Sequence, residues 1–185
     1  MKKRLFSILL SICMVLTMIP MAGGGVFAQT TEHKHCVCGA EHQTIGDHTA
    51  EDADVSKTFQ AWESDNKLPD KEGRYYLTKD VVISETWQPA DGTVLCLNGK
   101  TITGEAKDKY VIYITNGSFD LTDCSRNTGS IAYGGGGVFV DKGKTFNMYA
   151  GIIRNSINRG LVIYGTANMY DGVIKENGRG VILNY

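Results

Sequence analysis

The densest set of reactive side chains lies near the N-terminus, in His33-Lys-His35-Cys36-Val-Cys38. Imidazole nitrogen and thiolate sulfur are the usual zinc ligands, and four such groups within six residues nearly complete a tetrahedral shell. Zinc at His33, His35, Cys36 and Cys38 is therefore the one cofactor the chain suggests. The spacing argues the other way, because common structural sites use Cys-x-x-Cys and Cys-x-Cys crowds the two sulfurs. A solvated histidine-rich tail and a pair of oxidised cysteines stay open beside the metal reading. No third group orients a histidine against a cysteine, so no nucleophilic catalyst is assigned here.

A second set recurs toward the C-terminus. Tyr149 and Tyr170 stand 21 residues apart, and so do Arg154 and Lys175. Flat rings pack on sugar faces and a guanidinium fork binds carboxylate, so these four suit a sugar polymer carrying acidic groups. The plain alternative is that all four are solvated or self-stacking surface positions. The carboxylates Asp120, Asp123, Asp141 and Asp171 offer less. A polysaccharide lyase needs an Arg or Lys base near clustered acids that hold calcium, and an inverting hydrolase needs two facing carboxylates. Neither arrangement is evident from the spacing, and no residue is assigned a catalytic role.

What must position these groups is a repeat. Gly137-Val-Phe-Val-Asp-Lys-Gly-Lys-Thr-Phe-Asn-Met-Tyr-Ala-Gly-Ile-Ile-Arg-Asn is followed from Gly160 by Gly-Leu-Val-Ile-Tyr-Gly-Thr-Ala-Asn-Met-Tyr-Asp-Gly-Val-Ile-Lys-Glu-Asn, and a third copy opens at Gly180. Ile112 to Leu121 fits the same template. Phe119, Phe146 and Ala167 then fall in one column and Leu121, Met148 and Met169 in another. Val138 with Val140, Leu161 with Ile163 and Val181 with Leu183 alternate as inward pairs. A helix-free unit of this size cannot bury its own apolar face and must stack on its neighbours. The pattern predicts an all-β chain wound as a single-stranded solenoid, a right-handed parallel β-helix, with layers about 4.8 Å apart. Asp120, Asn147 and Asn168 align outward, where stacked amides form a hydrogen-bonded ladder.

Lys2, Lys3 and Arg4, an apolar run from Leu5 to Met21 and Val26-Phe-Ala28 read as a secretory signal over residues 1–28, cleaved after Ala28. Pro20 and three glycines interrupt the run, which fits cleavage better than a retained membrane span. Without the three leader cations, 16 basic residues face 20 acidic ones, a net charge of about −4, which excludes the basic face of a nucleic-acid binder. Residues 29–57 read as a polar tail or linker, 58–92 as an N-terminal cap with the first strands, and 93–185 as coils cut short at the C-terminus. Within the cap, Phe59 to Leu68 is expected as a short amphipathic helix stopped before Pro69. Trp62 or Trp87 is expected to cover the first layer. Cys96 and Cys124 fall near corresponding parts of adjacent layers, either as two separate small residues or as a disulfide.

Tyr75-Tyr-Leu-Thr, Val94-Leu-Cys-Leu-Asn-Gly-Lys-Thr-Ile102, Leu121-Thr-Asp-Cys124, Gly135-Gly-Gly-Val-Phe-Val140 and Thr145-Phe-Asn-Met-Tyr149 resemble exported, repeat-containing surface proteins of Gram-positive gut bacteria. In those proteins a His-x-His-Cys-x-Cys-Gly stretch, here His33 to Gly39, precedes a β-helix resembling the pectate-lyase fold. The resemblance implies a secreted or cell-surface location, further repeats and wall-attachment modules. It implies no particular activity. The expected function is a non-catalytic adhesin or carbohydrate-binding display module whose partner is a polysaccharide or a host or cell-wall glycan. A lyase or glycoside hydrolase on an acidic polysaccharide, and a structural spacer of a larger surface protein, are the alternatives.

Overall fold

A computed structural model of the chain describes residues 59–125 and 127–184. Residues 1–28, read above as a signal sequence, and the stretch carrying His33, His35, Cys36 and Cys38 lie outside the described residues. Within them there are fifteen strands and no helix. The first sheet contains β1 (Gln60–Trp62), β2 (Arg74–Leu77), β4 (Thr93–Cys96), β7 (Ser118–Thr122), β10 (Thr145–Met148) and β13 (Thr166–Met169), stacked in that order. The second contains β3 (Val81–Ile83), β5 (Thr101–Gly104), β8 (Ser130–Tyr133), β11 (Ile152–Arg154) and β14 (Val173–Lys175). The third contains β6 (Tyr110–Ile114), β9 (Gly136–Val140), β12 (Arg159–Ile163) and β15 (Arg179–Leu183). From β4 onward each coil gives one strand to each sheet, and all neighbours pair in parallel, so the described chain is a parallel β-helix.

The columns read from the repeat are the columns of the structure. Phe119, Phe146 and Ala167 are paired in register, as are Leu121, Met148 and Met169. The rings of Phe119 and Phe146 stack 5.9 Å apart with their planes 9° from parallel. Ile102, Ile131, Ile153 and Ile174 form the matching inward column of the second sheet. In the third sheet that column is Ile112, Val138, Leu161 and Val181. Identical layers let like side chains interlock, which one unit alone could not do. At the last coil nothing described covers these columns, and Met169, Val181 and Leu183 reach 45%, 49% and 57% exposure.

The segment expected as a helix is instead a loop and a strand. Gln60–Trp62 pairs in parallel with Tyr75–Leu77, and Phe59 is buried against Val94 and Cys96 on the outer side of the sheet. The open edge of β2 offers backbone hydrogen bonds to a partner strand, and that outweighs a short, weak helical pattern. The loop that follows closes the first layer as expected of the cap. Leu68 is buried in the core cluster, the Trp62 indole donates to the Lys67 carbonyl at 2.7 Å, and the Trp87 indole donates to the Pro69 carbonyl at 2.7 Å. Trp87 also bridges to Ile112 and sets its ring edge-on to Phe119 at 5.2 Å.

Candidate functional site

Alternation along the first sheet sends two columns outward. Arg74, Val94, Asp120, Asn147 and Asn168 form one of them. Asn168 donates through Nδ2 to Asn147 Oδ1 at 2.9 Å, and Asn147 donates in turn to Asp120 Oδ1 at 2.7 Å. The expected ladder is thus formed over three layers. Burial raises the Asp120 pKa above the usual carboxylate value, against the opposing pull of the Asn147 amide and the Arg74 charge.

The second outward column starts as Tyr76, Cys96 and Thr122. Tyr149 and Tyr170 continue it, their backbone N–H groups donating to Leu121 and Met148 at 2.8 and 2.9 Å. The two rings stack at 4.8 Å with planes 14° apart, and Tyr170 is 39% exposed. Each ring therefore turns one face onto its neighbour, and the strip presents ring edges more than faces. Arg154 and Lys175 are paired as read from the repeat, but on the second sheet. Gly151 and Gly172, both at φ +103, turn the chain between the two pairs. The corner needs a backbone conformation that side chains resist. The structure thus places the tyrosines and the cations on adjoining sheets. Arg154 Nε is buried without a hydrogen bond among the described residues, and Lys175 contacts Glu176 at 3.6 Å.

The four carboxylates weighed as chemical groups each hold a piece of the coil. Asp123 is fully buried. Its Oδ1 accepts from Gly99 N at 2.8 Å, from Ser125 Oγ at 2.7 Å and from Ser125 N at 3.3 Å, while Oδ2 accepts from Gly129 N at 2.8 Å. Asp171 accepts from Asn127 Nδ2 at 3.2 Å and from Gly172 N at 2.7 Å, and Asp141 accepts from Lys142 N at 2.8 Å. Among the described residues no three His, Cys, Asp or Glu side chains converge as a metal site.

Cys96 and Cys124 are thiols. The Cys124 N–H points at Cys96 Sγ, 3.4 Å away, and the Cys124 thiol lies 3.3 Å from Asn98 Oδ1. Burial, reinforced by Cys124, pushes the Cys96 thiol well above its usual pKa, the behaviour of an inert core cysteine.

An aromatic face on the third sheet was not singled out by sequence reasoning. Phe139 sits at its centre, with Tyr113 at 4.6 Å and Tyr110 at 5.1 Å set edge-on, and Tyr164 stacked at 5.2 Å. Burial and then the Asp141 carboxylate raise the Tyr113 phenol pKa. Arg159 Nη1 donates to the Tyr110 hydroxyl at 3.3 Å. A signal was available, since Val138 and Val140 facing inward forces Phe139 outward. Compared with known proteins, the chain matches no family model, no curated protein and no solved structure.

Proposed function

We propose that this chain is a non-catalytic binding and display module of an exported surface protein, with a glycan as ligand. The observation that carries the reading is the polar and aromatic strip on the outside of the first sheet. The Asp120–Asn147–Asn168 ladder runs directly beside the Tyr149–Tyr170 stack. Amide ladders offer donors and acceptors to sugar hydroxyls, and the outer tyrosine edges add apolar C–H surface beside a hydroxyl. The carboxylates support the same reading, because Asp120, Asp123 and Asp171 hold backbone or ladder groups in place. The stretch read as a leader at residues 1–28 and the resemblance of the quoted motifs to exported β-helix proteins of Gram-positive gut bacteria support a secreted or surface location.

Glycan-array binding by the secreted chain tests the proposal. Array signal that falls on Tyr149→Ala plus Tyr170→Ala supports it. Binding to no glycan would leave a structural spacer, and calcium-dependent release of unsaturated sugars from an acidic polysaccharide would replace it with a lyase.

A further inference from the structure

We infer that the third sheet carries a second binding site, a groove for an anionic glycan lined by Arg159 and Arg179. It lies on a different sheet from the Tyr149–Tyr170 strip and stands or falls separately from it. Arg159 and Arg179 open β12 and β15 and are paired directly across adjacent strands. Both are exposed. Together with Ile157, Asn158 and Gly178 they line a groove of about 420 Å³.

Like charges facing each other across a strand pair repel and cost stability. No carboxylate lies within ion-pair distance of either guanidinium among the described residues. Among the described residues the Arg159 side chain makes one hydrogen bond, to the Tyr110 hydroxyl. That bond reaches across two layers, because the Tyr110 ring lies over Gly136, where a Cβ would come within 2.3 Å of it. Glycine at that position lets the ring lie flat, and the hydroxyl then orients the guanidinium above it. The groove wall is braced as well. Asn177 Oδ1 accepts from Ser156 N at 2.9 Å, and its Nδ2 donates to the Ile153 carbonyl at 3.0 Å.

Two forked cations a layer apart match the oxyanions of a polymer, since guanidinium binds planar or tetrahedral oxyanions through paired hydrogen bonds. Tyr110, which holds Arg159, also meets Phe139 at 5.1 Å, and Phe139 stacks on Tyr164, 48% exposed; this aromatic run on the same sheet offers the apolar surface that a sugar ring covers. A glycan satisfies both halves of the site. A nucleic acid would need a longer basic track to neutralise successive phosphates, and the mature chain, with 16 basic against 20 acidic residues, does not supply one. The anionic group is a carboxylate or a sulfate ester, which share this recognition chemistry.

The test is calorimetric titration of the full secreted chain with four probes: hyaluronan oligosaccharides, heparin oligosaccharides, desulfated and carboxyl-reduced heparin, and single-stranded DNA. The expected result is binding of one or both charged glycans, weakened by salt, with affinity lower by about tenfold or more for the uncharged glycan. Arg159→Gln plus Arg179→Gln should abolish the difference between charged and uncharged glycans, and Tyr149→Ala plus Tyr170→Ala should leave it intact. Heparin alone binding assigns a sulfate site, and hyaluronan alone a carboxylate site. Both substitutions are at exposed positions, and an unchanged melting temperature shows that the fold survives. Equal affinity for charged and uncharged glycans, tighter binding of DNA than of either charged glycan, or full binding by the double glutamine variant overturns the inference.

Discussion

Replacing Asp123 separates a carboxylate that builds the coil from one that serves chemistry. Its side chain is fully buried, and it ties the Gly99 turn of one coil to the start of β8 in the next through Gly99 N and Gly129 N, both at 2.8 Å. Hydrogen bonds to a charged acceptor contribute about 1.5–3 kcal/mol each, so Asp123→Ala should cost about 3–6 kcal/mol through the loss of the two short backbone bonds alone, from Gly99 N and Gly129 N. Asp123→Asn keeps the shape, yet one of its two ends must present an amide NH2 to an N–H. It should therefore lose about half of that amount. Against a typical domain stability of about 5–15 kcal/mol, either loss is plain in urea unfolding followed by circular dichroism. The same loss is expected with calcium and with a chelator. A stability for Asp123→Asn within about 0.5 kcal/mol of wild type would refute the brace, and a loss seen only with calcium present would make Asp123 a metal ligand.

Three further outcomes are expected, two from the coil's geometry and one from the sequence alone. Phe146→Ala should cost about 3–5 kcal/mol in urea unfolding, since the ring is fully buried on Phe119, whereas Met169→Ala, on the half-open last coil, should cost well under half as much; equal losses would contradict the stacking. Asp120→Asn should stabilise the chain near neutral pH, because the folded-state pKa of Asp120 is raised. A raised carboxyl favours the fold below the unfolded pKa, and that advantage is lost as pH rises through the folded value, so the gain from asparagine should shrink toward acid. A gain that grew toward acid would show that the Arg74 attraction outweighs burial. Zinc titration of a peptide spanning residues 33–48 should release protons if His33, His35, Cys36 and Cys38 close a shell, and silence in that titration returns the stretch to a solvated tail.

Position-by-position repetition was enough to foresee which residues stack. Phe146 over Phe119 and Asn168 over Asn147 follow from spacing alone, because a parallel coil places equal positions of successive units above one another. The pairing of Arg154 with Lys175 was equally legible, but the sheet it lies on was not. That depends on where Gly151 and Gly172 turn the chain. The strand at Gln60–Trp62 was missed because three residues carry almost no periodicity and their conformation is dictated by the edge they join.

By itself the amino-acid sequence determined the all-β repeat, the inward columns and the asparagine ladder, since each is a property of like residues at equal spacing. Only the tertiary structure decided what Asp123 does and which rings meet around Phe139. Asp123 reaches from its own turn to the turn of the coil below, and Tyr110, Tyr113 and Tyr164 come to Phe139 from the layers on either side. Contacts between side chains of different columns depend on corner angles and on the lean of each ring along the axis. A repeat pattern fixes the height of a residue in the stack and leaves those directions to the folded backbone.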